Sequence, residues 1–294
     1  MTEKLIGVIP PMITPFNEQD QLNEPALARV VDFLFPHVHG YFICGTYGGG
    51  PLMNKDEKKR VMEVVVAQVK GQREVVVNVS ATNSRDAVEL ARFAEQAGAT
   101  RVASVPPFYY QHPMADVLRY FDALIQAVNI PVYCYNNPKA VGYGLTPENI
   151  VELSKIGLFG MKDSTFDLMW FDQVRRAAPP EFDTVMGTEG LFLPASVLGC
   201  QAYIPGLGNA YPDLCRKLFD QALVEKNYAA AYETHKTVLK LRSLMSVCGP
   251  TLVGVTEMAW LRGIDAGYPR SPFTRAEATA VEKLRKALTD AGAL

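Results

Sequence analysis

The chain alternates between two periodicities. Short apolar or β-branched runs recur roughly every thirty residues, and each is followed by a stretch with helical spacing of its apolar positions. The runs fall at 7–13, 40–46, 74–80, 100–105, 131–135, 158–162, 184–187 and 202–204. The helical stretches between them fall at 24–35, 55–70, 84–97, 114–128, 146–155, 168–177, 191–198 and 212–225. Strands this apolar need cover on both faces, and helical crossovers between parallel strands supply it. Eight such units in 225 residues predict an α/β protein whose sheet closes on itself as a (β/α)8 barrel. An open doubly wound sheet is the alternative. Its fingerprint is missing, because the first strand runs into "PPMITPF" and no GxGxxG turn follows it.

Beyond residue 225 the pattern holds no further strands. Helices are expected at 228–247, 251–264 and 274–291, with the turn "GYPRSP" between the last two. No linker-like segment separates the parts, so residues 1–225 read as a catalytic barrel and 226–294 as a three-helix extension packed on it. A formal charge of −2 without any block of like charge argues against nucleic acid as a partner. The start, "MTEKLIGVIPPMITPF", has the apolar length of neither a signal peptide nor a membrane span. Five scattered cysteines with no CxxC pair suggest buried free thiols and a reducing, cytoplasmic setting.

In a barrel, the C-terminal strand ends carry the chemistry. They bear Thr14 after strand 1 and "CGTYGGG" at Cys44–Gly50 after strand 2. Tyr109 and Tyr110 follow strand 4, Tyr135 ends strand 5, Lys162 ends strand 6 and "IPGLGN" follows strand 8. In "LFGMKDST", Lys162 shares a strand face with Gly160 and Ser164. If Phe159 and Met161 pack against helices, Lys162 points into the barrel, where burial favours a neutral, nucleophilic amine suited to a Schiff base. The competing reading ends the strand one residue early and pairs Lys162 with Asp163 at the rim. Tyr135 lies one strand away, and a positioned phenol can shuttle the protons that imine formation needs. The glycine turn either forms a nest of N–H groups for a carboxylate around Thr46 or is only a tight connection. His37 and His39 precede strand 2 and read as surface residues; His112 follows strand 4 and could reach the mouth. No histidine has metal-ligand spacing with a carboxylate, and no metal site is expected.

Four motifs in this order resemble the class I pyruvate aldolase superfamily, which includes dihydrodipicolinate synthase, N-acetylneuraminate lyase and 2-keto-3-deoxygluconate aldolase. They are the glycine turn, "PPFYY", "YNNP" and "GMKDS", and the resemblance runs from Gly7 to Arg270. It implies a barrel with a helical extension, usually a homotetramer, that forms an imine between lysine and pyruvate or another 2-keto acid without a further cofactor. Carried over, Lys162 is the Schiff-base lysine and Tyr135 the proton relay. Thr46, with the next amides at Tyr47 and Gly48, holds the keto acid's carboxylate. Tyr109 matches a tyrosine that reaches a neighbouring subunit's site, and Ile204 lines the pyruvate pocket. Ser164, Gly187, Glu189 and Gly206 are expected around the substrate.

The departures bear on the substrate. Tyr47 stands where the family has a second Thr, so its ring either shrinks the pocket or stacks on a planar or apolar aldehyde. Gly49 replaces a glutamate, and Ala140 replaces the synthase's arginine. "GTEG" at 187–190 keeps one acidic group of the neuraminate lyase pattern. The 2-keto-3-deoxygluconate aldolase branch matches best, through "GGGPLMNKDEKKR", "YNNPKAVGY" and "GYPRSP". The expected reaction is reversible cleavage of a 2-keto-3-deoxy acid to pyruvate and an aldehyde. Dihydrodipicolinate synthase-like, dehydratase or decarboxylase activity on the same imine, or a non-catalytic relative, are the alternatives.

Overall fold

The computed structural model describes residues 3–294. Eight strands run parallel: β1 (Gly7–Val8), β2 (Gly40–Ile43), β3 (Glu74–Asn78), β4 (Arg101–Ser104), β5 (Val132–Asn136), β6 (Gly160–Asp163), β7 (Asp183–Met186) and β8 (Ala202–Tyr203). Each strand lies beside its sequence neighbour, and β8 returns to β1. Backbone bonds from His39 to Val8, Phe42 to Pro10 and Met12 to Phe42 close the last seam, between β1 and β2. The fold is a (β/α)8 barrel with helices appended at its C-terminal end.

The first strand is shorter than its apolar run. Pro10 and Pro11 carry no N–H, so the ladder cannot continue through them. A buried side chain takes over: Asn209, in the turn after β8, accepts from the Ile13 amide at 2.9 Å and donates to the Pro11 carbonyl at 3.1 Å. His39 is likewise part of this closure and not a surface residue. Its Nδ1 accepts the Val8 amide at 3.0 Å, its ring tilts against Phe219, and burial pushes the imidazole down to about 4.

Strand alternation divides the apolar residues into two layers. Phe42, Val76, Ala103, Tyr133, Tyr135, Val185 and Ala202 fill the barrel interior. Tyr41, Ile43, Val75, Val77, Val102, Cys134, Met161 and Met186 face outward under the helices. Lys162 falls on the inner face by the same period of two, next to outward Met161. Phe159 does not join Met161. It precedes β6, and its ring turns inward onto Tyr133 at 5.7 Å.

The surrounding helices follow ordinary rules of capping and amphipathicity. The helix Ser84–Ala97 starts where the Asn83 side chain accepts the Asp86 amide, and it buries Ala87, Leu90, Ala91 and Ala94 along one face. It stops at Gly98, whose φ of 98° is left-handed. A four-residue helix, Pro138–Val141, was not expected. It turns the chain immediately after β5 and carries Lys139 and Ala140 to the barrel mouth. The expected helix 212–225 is instead Pro212–Phe219 followed by a π-turn at Asp220–Val224.

Three tail helices span Tyr228–Leu244, Thr251–Leu261 and Ala278–Asp290. The last begins four residues later than expected because buried Glu257 captures the Arg275 guanidinium and the Ala276 amide. Tyr268 of "GYPRSP" pairs through its backbone with Phe16, and Arg270 bridges Asp20 and Glu57. The turn therefore pins the tail to the loop after β1. All five cysteines are buried and free. Among the described residues no helix is long and apolar enough to cross a membrane.

Candidate active site

A cavity of about 450 Å³ opens at the C-terminal ends of the strands. Its lining includes Thr46 and Tyr47 after β2, Tyr135 on β5, Lys162 and Ser164 at β6, Gly187 and Glu189 after β7, and Gly206 after β8. The tail adds Arg242 and Thr251.

Lys162 is 3% exposed, and its Nζ lies 3.9 Å from the ring centre of Phe42 and 3.8 Å from that of Tyr135. It does not pair with Asp163. Consecutive residues of a strand face opposite ways, so Asp163 points outward, where Asn136 and Thr165 hydrogen-bond to it. Burial depresses the Lys162 pKa below the usual lysine range, against the opposing pull of Tyr135. Burial alone would raise the Tyr135 phenol. The Lys162 charge, with hydrogen bonds from Thr46, Lys162 and Ser164, outweighs that and holds it below the ordinary tyrosine value. The Tyr135 hydroxyl is 3.4 Å from Thr46 Oγ1 and accepts from Asn137 Nδ2 at 3.0 Å. Amine and phenol are thus both held below their ordinary proton affinities in one buried site. Such a pair can exchange a proton without either partner leaving the site.

The glycine turn is more than a connection. Gly49 sits in the left-handed region at φ 65°, with the Cβ of Arg270 behind it. The Gly49 amide donates to the Thr46 carbonyl and the Gly50 amide to that of Gly45. The amides of Thr46, Tyr47 and Gly48 donate to no protein acceptor among the described residues. Three consecutive free N–H groups beside a buried amine suit a carboxylate. Gly48 backs this turn from below, against the Met12 carbonyl and the Thr14 hydroxyl, and does not line the cavity itself.

Across the cavity, Glu189 is buried. Its Oε2 accepts the Gly206 amide at 3.0 Å, while its Oε1 has no hydrogen-bond partner and lies 3.4 Å from Arg242 Nε. His235 on the same tail helix holds the Glu189 backbone carbonyl at 3.2 Å. The Tyr47 ring lies over Gly206, and Thr251 lines the same cavity. Arg242 and Thr251 were not singled out from sequence. One arginine in a mixed helix and one threonine after a proline carry no local signal of a site.

Ile204, Tyr109 and His112, like Gly48, are not in the cavity lining of the single chain. Ile204 is buried among the barrel-filling side chains below the cavity. Tyr109 is 83% exposed on the rim after β4, left-handed at φ 82° and edge-on to Tyr110. His112 precedes the helix Met114–Ile125, its Nδ1 3.7 Å from Asp116 on that helix, outside the cavity lining. Among the described residues no group of three or more His, Cys, Asp or Glu could hold a metal ion.

A (β/α)8 barrel with a buried lysine and a tyrosine touching at its C-terminal mouth defines the class of imine-forming barrel enzymes, the class I aldolase superfamily. Within that class, residues 4–291 match the model of the dihydrodipicolinate synthetase family, and the chain belongs to this family. It is a lyase. An uncharacterized DapA-like lyase of Halobacterium salinarum is 34% identical, with 99% of this chain and 95% of that protein covered. The 4-hydroxy-tetrahydrodipicolinate synthase of Methanopyrus kandleri is 31% identical over 98% of this chain and 97% of its own. Among solved structures, the KD(P)GA of T. tenax superposes with a TM-score of 0.90 at 26% identity, covering 98% of this chain and 99% of that one.

Proposed function

We propose that the protein is an aldolase that cleaves a 2-keto-3-deoxy acid reversibly to pyruvate and an aldehyde, through an imine on Lys162. The observation that carries this reading is the contact of the buried Lys162 amine with Tyr135, 3.8 Å from its ring centre. The neutral amine adds to the keto carbon, and the carbinolamine hydroxyl takes the Tyr135 phenol proton and leaves as water, giving an iminium and a phenolate. With the iminium as electron sink, no separate cofactor is called for. Tyr135 accepts the proton of the C4 hydroxyl, the C3–C4 bond breaks, and its electrons pass into the iminium as an enamine while the aldehyde departs. Protonation at C3 and hydrolysis release pyruvate and regenerate the lysine. The amides of Thr46 and Tyr47 hold the keto acid's carboxylate throughout.

Glu189 Oε1, which has no hydrogen-bond partner and only the Arg242 charge beside it, accepts a hydroxyl of the aldehyde half, which favours a hydroxylated, 2-keto-3-deoxygluconate-like substrate over a plain one. Ala140 offers no cation where the synthase resemblance calls for arginine, and this disfavours dihydrodipicolinate synthesis. In a homotetramer, exposed Tyr109 would serve the cavity of a neighbouring copy. Incubation with 2-keto-3-deoxygluconate, followed by product analysis, separates the reactions. Release of pyruvate and glyceraldehyde in equal amounts is expected. A dehydrated or decarboxylated keto acid without pyruvate would contradict the aldolase reading and favour its relatives on the same imine.

A further inference from the structure

We propose that Tyr47 sets the length of the aldehyde this site accepts. The inference rests on the aldolase reading above and goes beyond it by assigning chain-length selection to one side chain.

Position 47 is one of the places where this sequence departs from the motif, and the structure shows what that departure builds. The ring spans the gap between the turn after β2 and the turn after β8. A Cβ added at Gly206 would overlap the Cζ and hydroxyl of Tyr47, so glycine and ring are a matched pair. Gly206 is itself held, because its amide donates to Glu189 Oε2 at 3.0 Å. Thr251, the first residue of the helix Thr251–Leu261, lines the same cavity. Burial and the neighbouring Glu189 charge push the phenol up, so it stays protonated and does not compete with Tyr135 as a base. Seated against Gly206 with no space for a Cβ between them, the Tyr47 ring presents bulk to the substrate and forms a wall of the cavity.

The direction of the substrate follows from the site. Lys162 fixes the keto carbon and the amides of Thr46 and Tyr47 fix the carboxylate, so the growing chain runs toward the turns after β7 and β8. Glu189 and the Tyr47 ring both line the cavity there, and a longer aldehyde needs the volume that the ring occupies against Gly206.

The test measures aldol addition of pyruvate to glycolaldehyde, glyceraldehyde, erythrose and arabinose by wild type, Tyr47→Phe, Tyr47→Leu and Tyr47→Thr. Borohydride trapping of pyruvate, read by intact mass, runs in parallel. Wild type and Tyr47→Phe should share a preference for the two shorter aldehydes. Tyr47→Thr should raise the long-to-short ratio of kcat/KM by about tenfold or more, the scale at which pocket volume discriminates chain length. Tyr47→Leu should fall between them, and either smaller variant alone decides the matter if the other does not fold. An unchanged ratio in a variant that still traps pyruvate would overturn the inference, as would a wild type equally fast on arabinose. Failure of wild type to trap pyruvate would strike the aldolase reading instead, so the two failures are distinguishable.

Discussion

The two walls of the cavity are built differently. The near wall, Lys162 with Phe42 and Tyr135, stands on β6, β2 and β5, where neighbouring strands fix each side chain by register: Tyr135 lies opposite Lys162 in the ladder. The far wall comes from turns and from the tail. Tyr47, Glu189, Gly206, Arg242 and Thr251 lie far apart in sequence and are joined by side-chain contacts. Rigid strands suit a reaction that needs amine and phenol at constant separation, whereas turns and an appended helix can change without disturbing it. On the proposed reading, the chemistry belongs to the barrel and the substrate choice to the turns and tail outside it.

The largest expected effect breaks the near wall. Lys162→Ala removes the nucleophile and should abolish turnover of every keto acid tested, while circular dichroism reports an intact fold. Measurable aldol cleavage by that variant would place the chemistry elsewhere. Tyr135→Phe keeps the ring against Lys162 but removes the proton carrier. It should lower kcat by roughly 10²- to 10⁴-fold, the usual contribution of a positioned acid–base group, and a loss below tenfold would remove Tyr135 from that role.

A smaller effect, on stability and not on chemistry, belongs to the outer face of the same strand. Burial raises the Asp163 carboxyl to about 7 from its ordinary 3.8. The folded state then holds a proton that the unfolded chain releases. Stability from this group is full below pH 4 and is lost as the pH rises through 7. Asp163→Asn carries no such titration, so wild type should lose a few kcal/mol relative to the variant between about pH 4 and 7. Denaturant unfolding at a series of pH values would show it. A constant difference would mean that Asp163 is ionised throughout.

How much of this was legible in the sequence divides along the same line. The barrel follows from period-two strands alternating with amphipathic helices, and Lys162 and Tyr135 follow from their places at strand ends, because strand geometry is local. The glycine turn was readable from its composition, with a nest and a tight connection both open. The far wall was not readable, since a contact between Tyr47 and Gly206 or between Glu189 and Arg242 depends on closure of the barrel and docking of the tail. His39 was misjudged on the same ground. Its ring is recruited by proline-interrupted β1, where Pro10 and Pro11 cannot continue the ladder and a side chain must help close the seam. The helix at Pro138–Val141 hid in "NNPKAV" as a turn, four residues being too few to show a periodicity.

The central claim is that Lys162 forms a covalent imine with a 2-keto acid. Borohydride reduction in the presence of pyruvate, followed by proteolysis and mass mapping, tests it most directly. The account predicts one pyruvate-derived adduct per chain, on the peptide that contains Lys162, and none on Lys162→Ala. An unlabelled wild type, or an adduct on buried Lys58 or another lysine with Lys162 unmodified, would contradict it.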